Sequence, residues 1–139
     1  LLTIGELTKK AQAVFNKYIR LRDFDLPCIS CDRYKVEITL GGAWDCGHFQ
    51  SVGAKSQLRF NEDNAHKQCK SCNGGSGKYA RKNHTVTQEY RIRLIKKIGL
   101  EKVEQLENNN QIKRWSKEEL IEIREYFKQK LKDLSNDTK

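Results

Sequence analysis

Methionine is absent from the 139 residues, proline occurs once, and no apolar run approaches the length of a membrane-spanning helix. The opening also lacks the basic-then-apolar pattern of a secretory signal. A chain that starts at Leu1 and contains no Met predicts a fragment of a longer protein. Aromatics are only 9% and hydrophobics 37%, which bounds the chain to one modest core while keeping it too apolar for disorder. Acidic residues are in deficit, with 18 Asp and Glu against 27 Lys and Arg, for a formal charge of +9. That balance favours a polyanionic partner, with nucleic acid the first candidate and an anionic membrane surface the second. Cores this small often need a staple.

Cysteine supplies one. Cys28-Ile29-Ser30-Cys31 and Cys69-Lys70-Ser71-Cys72 are two CxxC knuckles, and four thiolates in two close pairs are what a tetrahedral structural Zn²⁺ requires. Iron in a rubredoxin-like Cys₄ site is the main rival, and a disulfide framework is a poorer fit to this spacing. Cys46, the fifth cysteine, reads as a small buried residue beside a strand. A closed Cys₄ site has no open position, so chemistry has to come from the residues it places: Asp45, His48 and Asn73.

The expected class is α+β, a single domain over 1–139 with an N-terminal helix in 1–27, a zinc-bound core in 28–84 and a helical part in 85–139. Thr3 and Glu6 are spaced as a capping box opening a helix over 3–22, with Ala11, Phe15, Tyr18 and Ile19 on one face. Short strands are expected at Val36–Leu40, Ala43–Gln50 and Ala65–Gln68, with a loop over 51–64. A helix is expected to start near Lys78 or to be interrupted before Thr85; Thr85 and Gln88 read as a second capping box, Gly99 as the stop, and 100–107 as a short helix. Ser116 and Glu119, flanked by Trp115 and Leu120 as a hydrophobic staple, open a last helix to about Leu134.

Phosphodiester hydrolysis needs a water nucleophile, a base and positive charge at the phosphate. His48 has the unperturbed pKa of a base, while Asp45 and Asn73 offer oxygens to a hard cation, Mg²⁺ or Mn²⁺. Asp45 and His48 are three apart and would face opposite sides of a regular strand, so their convergence requires a bend or bulge, for which Gly47 is placed. Asn73 also fits a plain helix cap. His66 reads as structural or as a phosphate contact, and His84 as a surface residue.

Asp45-x-x-His48 between two knuckles, with Asn73 abutting the final cysteine, resembles the HNH (ββα-metal, or His-Me finger) nucleases, and especially the Cys₄-zinc Holliday junction resolvases of the endonuclease VII type. A closer resemblance, to the lambdoid phage NinG (Rap) proteins, rests on Asp45-Cys46-Gly47-His48-Phe49, Ser51-Val52-Gly53-Ala54, Leu58-Arg59-Phe60, Asn64-Ala65-His66 and Gln68-Cys69-Lys70-x-Cys72-Asn73. Tyr90-Arg91-Ile92 and Ile98-Gly99-Leu100-Glu101-Lys102-Val103-Glu104 extend it, so that it runs from about Leu1 to Glu107. The resemblance implies a zinc-centred ββα-metal core flanked by N- and C-terminal helices. It also implies endonuclease activity on Holliday junctions and D-loops, in the cytoplasm of the phage's bacterial host and beside phage recombination proteins. His48 would be the base and Asp45 and Asn73 the Mg²⁺ ligands, with Asn64 bracing the loop that bears the base; cleavage would leave 5′-phosphate and 3′-hydroxyl ends.

Lys55, Arg59, Lys67, Lys70, Lys78, Arg81 and Lys82 face only two acids between residues 50 and 83 and are expected to contact phosphate. Paired cleavage of a four-way junction suits a homodimer, with the apolar stripe of the last helix either an interface or simply packed on its own domain. Two other readings stay open: a non-catalytic zinc-ribbon-like DNA-binding module, and an HNH nuclease cutting duplex at a sequence.

Overall fold

The computed structural model describes residues 1–36, 38, 42–74 and 85–137. Helix α1 spans Ile4–Arg22, and its capping box forms as expected: Glu6 N–H donates to Thr3 Oγ1 at 3.1 Å and Thr3 N–H to Glu6 Oε2 at 2.9 Å. Strands β1 (Trp44–His48) and β2 (Ala65–Cys69) pair antiparallel, joined by a loop with 3₁₀ turns at Ser56–Leu58 and Glu62–Asn64. Helices α2 (Thr85–Ile98) and α3 (Leu100–Asn108) meet at Gly99, whose φ of 93° is left-handed backbone that suits glycine. Its N–H closes α2 on Ile95 O. Thr85 is the first helical residue rather than a cap, and the residue before it lies outside the described residues. Helix α4 spans Lys117–Asp137, three residues longer than expected, behind a complete Ser116–Glu119 capping box.

This is a small α+β fold with four helices and a two-stranded sheet among the described residues. The strand expected at Val36–Leu40 falls largely, and the helix expected near Lys78 wholly, outside those residues.

The hairpin is covered on both faces. Cys46 and Ala65 pack with α1 and α4 around Phe15, Leu120 and Phe127. Phe49 packs on the other side with Tyr90, Leu94, Val103 and Leu106 of α2 and α3. The apolar stripe of α4 is used within the chain: Phe127 stands edge-on to Phe15 at 4.9 Å and against Tyr18 at 5.5 Å. It is therefore not a free interface. No helix among the described residues is long and apolar enough to cross a membrane.

A buried polar cluster ties these layers together. Asp23, 1% exposed, accepts from Arg22, from Lys97 Nζ at 2.9 Å and from Lys67 N–H at 3.1 Å. His66 points Nε2 at Asp63 O (2.8 Å) and Nδ1 at Lys97 Nζ (2.8 Å). A carbonyl accepts and an ammonium donates, so Nε2 carries the proton and the ring is neutral. Burial, then the nearby Lys97 charge, pushes His66 down to about 3, while Arg22 and Lys97 hold Asp23 at about 2 despite its burial.

Both folded-state values lie below the unfolded ones, so both contributions are intact above pH 6.5 and lost on acidification. Stability should fall as pH drops from 6.5 towards 3, more steeply below 4. The histidine accounts for on the order of 5 kcal/mol over the whole range. Denaturant midpoints at pH 7, 5.5 and 4.5 measure this, and His66→Gln should flatten the upper part of the slope. An equal slope in that variant would assign the acid sensitivity elsewhere.

Candidate metal centre and active-site residues

Two chain reversals build the metal centre. After Cys31 the chain turns through Asp32 at φ 62°, and Asp32 N–H returns to Cys28 O at 2.9 Å. After Cys72, Asn73 N–H returns to Cys69 O at 3.0 Å and Gly74 takes φ 73°. The four Sγ atoms of Cys28, Cys31, Cys69 and Cys72 all lie within 4.8 Å of one another, with Cys31 and Cys69 3.8 Å apart. A Zn–S bond of about 2.3 Å in a tetrahedron gives edges of about 3.8 Å, so the donor set and its spacing both fit zinc. The Cys28 thiol and Ser71 hydroxyl favour the Cys69 thiolate and draw its pKa down. Cys46 lies outside this cluster, its thiol pushed up to about 12 by burial against the α1 core.

Asp45 and Asn73 come together. Asn73 Nδ2 donates to Asp45 Oδ2 at 3.1 Å, and Lys70 Nζ lies 2.5 Å from Asp45 Oδ1. β1 delivers the carboxylate and the second knuckle delivers the amide and the ammonium, which is why residues 28 apart in sequence touch.

His48 sits elsewhere. Pairing between β1 and β2 runs one-to-one from Trp44↔Cys69 to His48↔Ala65, with no bulge. Alternation then puts Asp45 and His48 on opposite faces, about 10 Å apart along the strand. The bulge expected at Gly47 is not formed, and Gly47 serves another purpose: a Cβ there would collide with Gln68 Oε1, whose side chain crosses that face to reach Ser30 Oγ.

The His48 ring stacks on Phe15 at 6.0 Å, and its Nε2 lies 3.0 Å from Arg59 O. A carbonyl can only accept, so Nε2 holds the proton and Nδ1 keeps the lone pair. Nδ1 has no hydrogen-bond partner among the described residues. Burial lowers the ring's pKa from its ordinary value, and the Arg59 charge adds to that. Asn64 is fully buried and bridges the loop: Oδ1 accepts Gln50 N–H at 2.8 Å, while Nδ2 donates to Gln50 O at 3.0 Å and Leu58 O at 3.2 Å. It thus fixes the segment whose Arg59 carbonyl orients His48.

The basic residues divide. Lys55 Nζ caps the end of α3 on Leu106 O and Glu107 O, and Lys67 Nζ is held by Phe24 O and Leu26 O. Both charges serve the fold. Lys70 is paired with Asp45, and the Arg59 guanidinium donates to Gln12 Oε1 and lies over the Phe60 ring. Lys78, Arg81, Lys82 and His84 lie outside the described residues. The sequence reading missed the Arg59 carbonyl as the anchor of His48, because a backbone acceptor carries no residue-type signal.

A family model described as bacteriophage lambda NinG protein matches residues 3–137. The chain is 46% identical over 129 residues to the protein ninG of Escherichia phage lambda, covering 92% of this chain and 57% of the relative. It is 45% identical over 129 residues to that of Escherichia phage 933W (92% and 58%) and 43% identical over 127 residues to that of Salmonella phage P22 (91% and 56%). The chain therefore spans under two thirds of these relatives' length. No solved structure matches it.

Proposed function

The chain belongs to the NinG family of lambdoid phage proteins, and from that premise we propose that it is a structure-specific DNA endonuclease, cutting Holliday junctions and other branched recombination intermediates. The observation that carries this reading is His48: its tautomer is set by Arg59 O, its neutral form is favoured by burial, and its Nδ1 has no hydrogen-bond partner among the described residues. Those are the properties of a general base. Nδ1 takes the proton of the attacking water, Arg59 holds a phosphate oxygen, and Asn64 keeps the base-orienting loop in place. The zinc is structural. Asp45 and Asn73 are the carboxylate and amide that would hold Mg²⁺ or Mn²⁺, as a hard cation accepts oxygen donors and fills its shell with water. When bound, that ion would supply Lewis-acid charge to a phosphate on the Asp45 face of β1. On this reading the protein works as a homodimer beside phage recombination proteins in the host cytoplasm, and its core is of the ββα-metal type.

The test is a labelled four-way junction beside linear duplex of the same sequence, with Mg²⁺ or Mn²⁺ and without added divalent metal. Paired nicks near the branch point, dependent on metal, are expected; Asp45→Asn and Asn73→Ala should each raise the metal concentration required. Sequence-dependent cutting of the linear duplex would turn the reading towards a duplex nuclease.

One observation favours a second reading. Asp45 and His48 lie on opposite faces of an unbroken strand, with Lys70 on the carboxylate, as suits a zinc-ribbon-like module that binds DNA without cutting it. Tight junction binding with no nicks under either metal would establish that reading instead.

A further inference from the structure

A cleft of about 420 Å³, with Asp45 on its wall, opens between the last turn of α1 and the start of β1. Arg20 and Phe24 line one side, and Trp44, Asp45 and Lys67 the other. Phe24 is 71% exposed, an unusual cost for a phenyl ring, yet its backbone is fixed by hydrogen bonds to Leu21 O and from Lys67 Nζ. Lys67 Nζ lies 4.1 Å from the Trp44 ring centroid, so the ring already has a cation on it. Neither the Arg20 guanidinium nor the Trp44 indole N–H has a hydrogen-bond partner among the described residues, and Arg20 makes no ion pair among them.

We propose that this cleft binds one unpaired nucleotide of a DNA strand, with the base against Phe24 and Trp44 and its phosphate on Arg20. The proposal rests on the endonuclease reading for the identity of the polyanion. The complementarity itself is local: an unused guanidinium and an exposed aromatic ring are the two elements that single-strand sites combine. Charge decides between ligands. A neutral aromatic ligand would leave Arg20 unused, and a duplex offers its phosphates with the bases stacked away from Phe24. A branch point exposes both a base face and its phosphate, and the cleft would then hold the strand next to Asp45.

The experiment uses the full chain with zinc and no added Mg²⁺, so that binding is read apart from cutting. A fluorescent ten-nucleotide oligo-dT and a duplex of equal length are titrated by anisotropy at several salt concentrations. Phe24→Ala should weaken single-strand binding about tenfold, Phe24→Tyr should restore it and Phe24→Leu should not. Arg20→Gln should lower the single-strand salt slope by about 0.7. Duplex affinity should change less than twofold in the Phe24 variants. Unchanged single-strand binding in Phe24→Ala would overturn the proposal, as would rescue by Leu or an equal loss on duplex. If these binding effects appear in a protein that cuts no DNA, the cleft stands and the endonuclease reading falls. If the protein cuts junctions without showing them, the endonuclease reading stands and the cleft falls.

Discussion

Removal of the zinc is expected to unfold the centre of the molecule while leaving part of its periphery. A structural Cys₄ zinc contributes about 10–16 kcal/mol to its folded domain, comparable with the whole stability of a typical domain at about 5–15 kcal/mol. The cluster it organises has little else: Cys28, Cys69, Cys72 and Val86 are its buried members, with Cys31, Val36 and Trp44 packed at the edge. Apart from thiols, that leaves one buried apolar side chain. The α1–α4 core is different, built from Leu7, Phe15, Ile19, Leu120 and Phe127 without a metal-ligating cysteine. The two tryptophans report on the two regions, Trp44 beside the cysteine cluster and Trp115 against Phe60. Metal analysis should find one zinc per chain, and a strong chelator should abolish the cooperative thermal transition. The Trp44 signal should change first, with some α1–α4 helicity surviving. Cys69→Ser should do the same without a chelator. A colourless protein that keeps its melting transition after complete metal removal would refute the zinc centre.

Replacement of His48 by Ala should reduce junction cleavage by at least about a hundredfold, the lower end of what a positioned general base contributes. Junction affinity should stay within about twofold, because the ring's Nε2 is engaged with Arg59 O and its face with Phe15 rather than with a charge that DNA would use. Removing a ring stacked on Phe15 also leaves a void, so thermal stability should be recorded alongside, and His48→Gln serves as the smaller perturbation. The wild-type rate carries an independent signature. His48 is depressed below its usual 6.5 by burial, so the neutral, active form prevails above that shifted value. Cleavage should rise with pH and level off below pH 6.5, a limb that His48→Ala should lack. Joint loss of binding and cleavage would move His48 from chemistry to structure. A retained acid limb in the variant would place the base elsewhere.

Local patterns were readable because they are satisfied locally. Thr3 with Glu6, and Ser116 with Glu119, form capping boxes within four residues, and each hydrogen bond is made by neighbours in the chain. The two CxxC knuckles were equally legible, since metal geometry demands that pairing of thiolates and few other structures do. Thr85 shows the limit of such patterns: the same spacing was present, but the helix begins at that residue rather than after it.

What the sequence determined, then, is the α+β class, the helix starts at both ends, the four cysteines that could hold a metal, and Asn73 placed by the knuckle that carries it. The tertiary structure decided which face each strand residue occupies and what each charge is used for. An unbroken register sent Asp45 and His48 to opposite sides, whereas their convergence requires a bulge at Gly47. Lys55 and Lys67 sit in a basic stretch but end on the carbonyls of Leu106, Glu107, Phe24 and Leu26, brought up by distant parts of the chain. The stripe of α4 found its partner in α1, more than a hundred residues earlier. The physical reason is common to all three. Side-chain identity fixes what a group can bind, whereas long-range packing fixes which partner comes within its reach.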